Sequence, residues 1–133
     1  EVAQARAAAV AGLSGVGDAL RDQARLREEQ ARAEVAARAL YVRFQGSAEA
    51  DPDSAIQAFR ELPQTSYYRA QAREAYERLR PAYVAAHLEK AKNAILGHRC
   101  DEGKAQLQLV LDVDPANAVA IGLGKLPACQ PAP

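Results

Sequence analysis

The sequence predicts an all-α protein made of antiparallel helical hairpins, and three observations carry that prediction. Alanine supplies 31 of the 133 residues, and 49% of the chain is apolar. Apolar side chains recur at spacings of three and four residues, and no segment alternates apolar and polar residues as a strand does. Asp-Pro turns and glycines separate the helical segments. A chain of this length and composition favours one domain of closely packed helices.

The charge balance limits the classes of partner. The 17 basic and 17 acidic side chains cancel to a net charge of zero. A general nucleic-acid surface or a polybasic membrane surface needs an excess of Lys and Arg, so neither is predicted. No apolar run approaches the length of a membrane-spanning helix.

The first predicted element is a helix in two parts. Residues 1–17 are predicted as an N-terminal helical or linker segment, because three glycines and a serine between residues 12 and 17 interrupt its Ala-rich pattern. Asp18 is the expected N-cap of a long helix that reaches about Phe44. Its charge-rich stretch, residues 21–38, is predicted to be a solvated face. The alternative is a coiled-coil seam that forms a homodimer, although mostly Ala side chains would line that seam.

A short helix and a long helix follow. Asp51 and Pro52 predict the start of the short helix, and Pro63 predicts its end. Its expected buried face consists of Ala55, Ile56, Phe59 and Leu62. Residues 65–97 are predicted as one helix kinked at Pro81 rather than two helices, because no turn residues accompany the proline. Its expected apolar side chains are Tyr68, Ala72, Ala75, Tyr76 and Leu79 before the proline, and Val84, Leu88, Ala91 and Ile95 after it.

The C-terminal part predicts two further short helices. Gly97 is the expected C-cap of the preceding helix. A helix from Asp101 to about Val113 buries Leu107, Val110 and Leu111, and a last helix spans residues 118–123. The helical domain is therefore placed at residues 18–126, and residues 127–133 are predicted as a Pro-rich tail that cannot continue a helix.

Two of the short helices repeat a packing pattern at an offset of 48 residues. Ala55 aligns with Gly103, Phe59 with Leu107, and Leu62 with Val110. A small residue at the first position allows a neighbouring helix to approach closely, and the large residue one turn later fills the remaining space. Residues 97–117 (GHRCDEGKAQLQLVLDVDPAN) resemble the second half of a tetratricopeptide repeat, and residues 51–63 look like a weaker copy.

The resemblance implies a tetratricopeptide-like α-solenoid, with departures. The usual period is about 34 residues, and the first-helix motif of that family is not recognisable. In such arrays the first helix of each pair lines a concave binding face. On residues 65–97 that face would expose Arg69, Arg73, Tyr76, Arg80, Tyr83 and His87. Tyr and Arg are enriched at binding hot spots. The alternative is that the two tyrosines belong to the core.

The expected function is a protein-interaction or assembly module that binds a peptide or helix of a partner in a groove. The turns, the Ser66-Tyr67-Tyr68 helix start and the 97–103 segment (GHRCDEG) are also similar to helical repeat regions of bacterial envelope and secretion proteins. A structural oligomerisation element that uses the long N-terminal helix is the alternative, and a small-ligand-binding domain is a more remote one. No nucleophile–base pair, phosphate loop or metal triad is recognisable, so no enzymatic activity, cofactor or metal is predicted.

The two cysteines allow two interpretations. Cys100 begins one predicted helix and Cys129 follows the end of the next, and an antiparallel pair places those two ends together. The sequence therefore supports a disulfide that closes a loop of about 30 residues, or two unrelated thiols. A bridge implies an oxidising compartment such as a periplasm; free thiols would suit the cytoplasm.

Overall fold

The computed structural model describes residues 2–129, with side chains from Gly15 onwards, and this part of the chain is helical without any strand. The helices are α1 (Val2–Ser47), α2 (Pro52–Glu61), α3 (Tyr67–Leu96), α4 (Cys100–Val113) and α5 (Ala118–Gly124). A short 3₁₀ turn, Pro127–Cys129, follows. The predicted all-α class is confirmed. The expectations for Glu1 and for residues 130–133 of the tail lie outside the described residues.

Helix α1 lacks the interruption that the glycines before Asp18 predict. It continues unbroken through 46 residues, about 70 Å at the usual helical rise. Glycine weakens a helix by about 1 kcal/mol but leaves every backbone hydrogen bond in place, and the Ala-rich flanks keep the segment helical. Asp18 is therefore an interior residue that faces Arg21 at 4.0 Å, not an N-cap.

Helix α2 starts as the sequence predicts. The Asp51 side chain accepts a hydrogen bond from the Ser54 backbone N–H, and Pro52 occupies the first helical position. The backbone of Leu62 then turns to an extended conformation. The side chains expected to be buried are all in the core, namely Ala55, Ile56, Phe59 and Leu62. Burial of these side chains packs α2 against both α1 and α3.

Helix α3 is one continuous helix with Pro81 inside it, which confirms the preference for one helix over two. Ser66 caps its start by accepting from the Tyr68 backbone N–H. At the other end, the His98 N–H donates to the carbonyl of Ile95 and the Arg99 N–H to that of Ala94. This pair of bonds is a Schellman ending. Gly97 is the C-cap as expected, but the left-handed residue is His98, with φ of 59°.

Helix α4 forms a second helical hairpin with α3, and α5 packs over the end of that hairpin. Leu107, Val110 and Val113 of α4 are buried, and Leu111 is half-buried against the core. Asn117 starts α5 by accepting from the Ala120 backbone N–H. Helix α5 lies against both α4 and α3.

The helices stack in chain order. Helix α1 packs on α2, α3 packs on α4, and α3 also contacts α1, α2 and α5. Helix α4 packs closely on α3 at Gly103, where an added Cβ would lie 2.6 Å from Cγ1 of Ile95. The small residue predicted at this position is therefore required by the packing. The result is two stacked helical pairs, α1–α2 and α3–α4, with α5 over the end.

Candidate functional site

The face predicted to bind a partner is an internal seam. The side chains of Tyr76, Tyr83 and His87 are buried, so the expectation that they line an exposed surface is wrong. The predicted residues do recur at spacings of three and four along one side of α3. The buried members of this stripe face α2 and α4 rather than solvent. Sequence spacing defines a helix face without saying which neighbouring helix covers it. The alternative that the two tyrosines are core residues is the one the structure shows.

Two arginines of this stripe donate hydrogen bonds to carbonyls at the C-terminal ends of the neighbouring helices. Arg69 Nη1 donates to the carbonyls of Phe59, at 3.2 Å, and Leu62, at 2.7 Å, where α2 ends. Arg80 Nη1 donates at 3.3 Å to the carbonyl of Val113, the last residue of α4. The last carbonyls of a helix lack intrahelical donors and carry partial negative charge, so a guanidinium is well suited to both positions. These two arginines therefore connect α3 to the C-terminal ends of α2 and α4.

An aromatic cluster lies between α2 and α3. The rings of Phe59 and Tyr76 stack with centroids 3.9 Å apart, and the Arg69 guanidinium carbon lies 4.5 Å from the Phe59 ring centroid. Burial raises the pKa of the Tyr76 phenol, and burial together with the nearby Asp53 carboxylate raises that of Tyr83. Both hydroxyls therefore remain protonated well into the alkaline range.

His87 joins three helices at the other end of the seam. Its side chain is 3% exposed. Nε2 lies 3.1 Å from Oδ2 of Asp53 in α2, and Nδ1 contacts Oε1 of Gln106 in α4. Each ring nitrogen therefore has a polar side-chain atom of a neighbouring helix within hydrogen-bonding distance. Of the six residues predicted to bind a partner, Arg73 alone is exposed.

An open concavity lies elsewhere in the described residues, between the middle of α1 and the start of α3. It encloses about 520 Å³. We call it the α1–α3 groove. Arg27, Gln30 and Glu34 line its α1 wall. The opposite wall consists of Pro63, Thr65, Ser66, Tyr67 and Tyr68.

Tyrosine side chains give this groove an aromatic wall. Tyr67 is 69% exposed, whereas the half-buried Tyr68 packs against Tyr41 of α1, with ring centroids 5.4 Å apart. The two adjacent rings meet edge to face at 5.7 Å. One tyrosine thus anchors the start of α3 and the other stays available to a ligand. The Tyr67-Tyr68 pair was visible in the sequence, but nothing there placed it opposite residues 27–37.

The C-terminal turn is tied to the second hairpin. Cys100 and Cys129 form a disulfide with their Cα atoms 5.4 Å apart. The predicted bridge is confirmed, and it holds the 3₁₀ turn against the start of α4. The described part of the predicted tail is thus attached to the helical domain.

Neither a membrane-spanning helix nor a metal-binding cluster occurs in the described residues. None of the helices between residues 2 and 129 is long and apolar enough to cross a membrane. In the same part of the chain, no group of three or more His, Cys, Asp or Glu side chains could hold a metal ion.

Comparison of the chain with known protein families, with curated proteins and with solved structures finds no match.

Proposed function

We propose that this protein is an interaction module that holds a segment of a partner polypeptide in the α1–α3 groove. The observation that carries this proposal is the exposed Tyr67 ring on the wall of a groove that also presents Arg27, Gln30 and Glu34. An amphipathic aromatic ring beside groups that donate and accept hydrogen bonds suits a peptide chain. The role requires binding and no chemical step.

The order of helix packing supports a tetratricopeptide-like array. Each helix packs on the next one, and α3 also packs on the helices two places away, α1 and α5. In this interpretation α1 and α3 are the first helices of two successive pairs, and the groove lies between them. That is the side on which repeat arrays bind extended segments. The disulfide supports a location in an oxidising compartment.

Selection from a random peptide library tests the proposal. The library is selected on the immobilised protein, and the dissociation constants of recovered peptides are measured against wild type, Tyr67→Ala and Leu96→Ala. Leu96 is a matched control, because it is a large exposed apolar residue on the same helix, far along it. We expect Tyr67→Ala to weaken binding about tenfold or more, the loss of one good aromatic contact, with no change for Leu96→Ala.

Two results would contradict the groove as the binding site. Peptides that bind both variants as tightly as wild type would show that the groove is not the binding site. Amide chemical shifts of residues 27–37 and 63–68 then report whether any peptide contacts the groove. Failure of those shifts to move would reject the proposed function.

A further inference from the structure

Helix α1 has a second apolar face that nothing in the structure covers. Ala37 and Phe44 are buried against the rest of the protein. Val35 and Val42 precede them by two residues each, which places them about 200° around the helix. The two valines are 71% and 59% exposed. The two valines therefore lie on the side of α1 opposite its buried residues.

The exposed face extends along the helix as a regular stripe. We call Leu20, Ala24, Ala31, Val35 and Val42 the α1 stripe; all five side chains are exposed. Successive members are separated by four and seven residues in alternation, so the pattern repeats every 11 residues. An 11-residue repeat keeps its side chains on one side of a nearly straight helix. The stripe can therefore contact another straight helix along its whole length.

Residues 15–36 of α1 contribute no side chain to the core of the described chain. No side chain between residues 15 and 36 is buried. Helices in water gain most of their stability from packing of an apolar face, and contiguous exposed apolar residues mark interaction surfaces. Helix α1 therefore carries an apolar face that no other helix of the described chain covers.

In the middle of the stripe, between residues 27 and 34, the charges on its two edges are complementary to each other. At helical spacing Arg27 and Glu34 lie along one edge. Glu28 and Arg32 lie along the other edge, at nearly the same heights. None of these four side chains forms an ion pair within the part of the chain that the structure describes, whereas Arg21 and Arg25 pair locally with Asp18 and Asp22. Their charges are available to a partner.

We propose that two copies of this chain pair through the α1 stripe, with their helices parallel and in register. A two-fold axis parallel to the helices places each edge beside the opposite edge of the second copy. Arg27 then faces Glu28 of the second copy, and Glu34 faces Arg32. Ala24 and Ala31 let the backbones approach, and the bulk of each protomer stays on the outer side of the pair. An antiparallel pair would place each edge beside itself and bring like charges together.

The same charges argue against other occupants. The stretch from residue 15 to 36 mixes acidic and basic side chains, and the chain as a whole carries no net charge. A nucleic acid or an anionic membrane selects a basic surface, which this helix lacks. A surface whose two edges complement each other fits a second copy, the commonest partner among soluble oligomers.

Light scattering coupled to size exclusion tests the pairing across a series of protein concentrations. We expect the mass to rise towards twice the 14.2 kDa of one chain. Val35→Asp places a carboxylate from each copy in the interface and should raise the dimer dissociation constant about 100-fold. The exposed Val119→Asp substitution is the matched control and should leave the mass unchanged. A monomer at every concentration, or a dimer indifferent to Val35→Asp, overturns the proposal. Circular dichroism verifies that each variant keeps its helices.

Charge exchange tests the parallel arrangement. Arg27→Glu alone and Glu28→Arg alone each place like charges together and should weaken the dimer, while the double variant restores the opposite-charge pairs and the dimer. Single variants that dimerise like wild type would overturn the parallel register.

The pairing shares Arg27, Ala31 and Glu34 of α1 with the α1–α3 groove, but it does not involve Tyr67 on the opposite wall. Tyr67→Ala, which tests the groove, should leave the dimer mass unchanged, because Tyr67 lies on α3. Loss of the dimer in Tyr67→Ala would contradict the proposed interface. The two proposals can therefore fail separately.

Discussion

At the scale of single residues, Gly103 shows how one missing side chain sets a helix–helix distance. A Cβ at this position would lie 2.6 Å from Ile95 Cγ1 and 3.5 Å from the carbonyl oxygen of Ala91. Ile95 is itself buried and cannot move aside easily. Glycine therefore costs helix propensity at this position but allows α3 and α4 to meet.

Gly103→Ala is expected to destabilise the protein. The overpacking penalty exceeds the gain of about 1 kcal/mol in helix propensity, so we expect a net loss of about 1–2 kcal/mol in the free energy of unfolding. Urea unfolding followed by circular dichroism measures it. Gly122→Ala is the control: nothing lies within 4 Å of its added Cβ, so the same substitution should be neutral or stabilising. A stable Gly103→Ala variant would show that the helices can separate at no cost.

The buried tyrosines predict an alkaline loss of stability. Because burial raises the folded-state pKa of Tyr76 and Tyr83 above the ordinary value of 10.0, the folded protein holds protons that the unfolded chain releases. Stability from these groups is unaffected below about pH 10 and falls as pH rises from there through the folded pKa. Urea midpoints measured at about pH 9 and pH 11 report the loss.

The matched variants are Tyr76→Phe and Tyr67→Phe. The first removes one buried phenol and should reduce the alkaline loss. The second removes an exposed phenol and should leave the loss unchanged. Equal behaviour of the two variants would assign the alkaline effect to other groups.

At the scale of helices, arginine side chains of α3 form hydrogen bonds with the C-terminal ends of the neighbouring helices. Arg69 donates to two terminal carbonyls of α2 and lies over the Phe59 ring. Lysine carries the same charge but lacks the planar fork that reaches both carbonyls and stacks on a ring. The contribution of Arg69 therefore depends on its shape as well as its charge.

Arg69→Lys should lower the free energy of unfolding by about 1–2 kcal/mol, which is less than the roughly 1.5–3 kcal/mol of a hydrogen bond to a charged donor because lysine keeps the charge. Arg73→Lys, one turn further along α3 and exposed, should change it by less than about 0.5 kcal/mol. Urea unfolding of the two variants gives the comparison. Equal losses would mean that the contacts at the end of α2 contribute little.

The helix ends were the most predictable part of this fold. Asp51, Ser66 and Asn117 act through hydrogen bonds to residues two or three positions away, so a local pattern contains all the information. The continuity of α1 was not predictable in the same way, because several glycines weaken a helix without removing its hydrogen bonds. The candidate site was harder still. The groove joins residues 27–37 to residues 63–68, and only tertiary packing decides that Tyr67 is exposed while Tyr76 is buried.

At the scale of the whole molecule, the disulfide closes the C-terminal end. It links residues 29 positions apart, and a loop of this size is expected to contribute about 3 kcal/mol by restricting the unfolded chain. Neither sulfur contributes to the packing between α1 and α2. The bridge therefore affects the stability of the fold more than its helical content.

The variant Cys100→Ser/Cys129→Ser should retain its far-ultraviolet circular dichroism and lose about 3 kcal/mol in urea unfolding. Wild type in reducing agent should lose a similar amount, and the double variant should not respond to the reducing agent. A thiol assay on the purified, unreduced protein should find no free thiol. Two free thiols in that assay would contradict the bridge.

The central position of α3 has a consequence for cooperativity. It packs against α1, α2, α4, α5 and the 3₁₀ turn. A repeat array can usually lose its end units one at a time, because each unit contacts only its neighbours. Here both hairpins need the same helix, so neither can unfold while the other keeps its full set of contacts. The protein should therefore unfold as one cooperative unit.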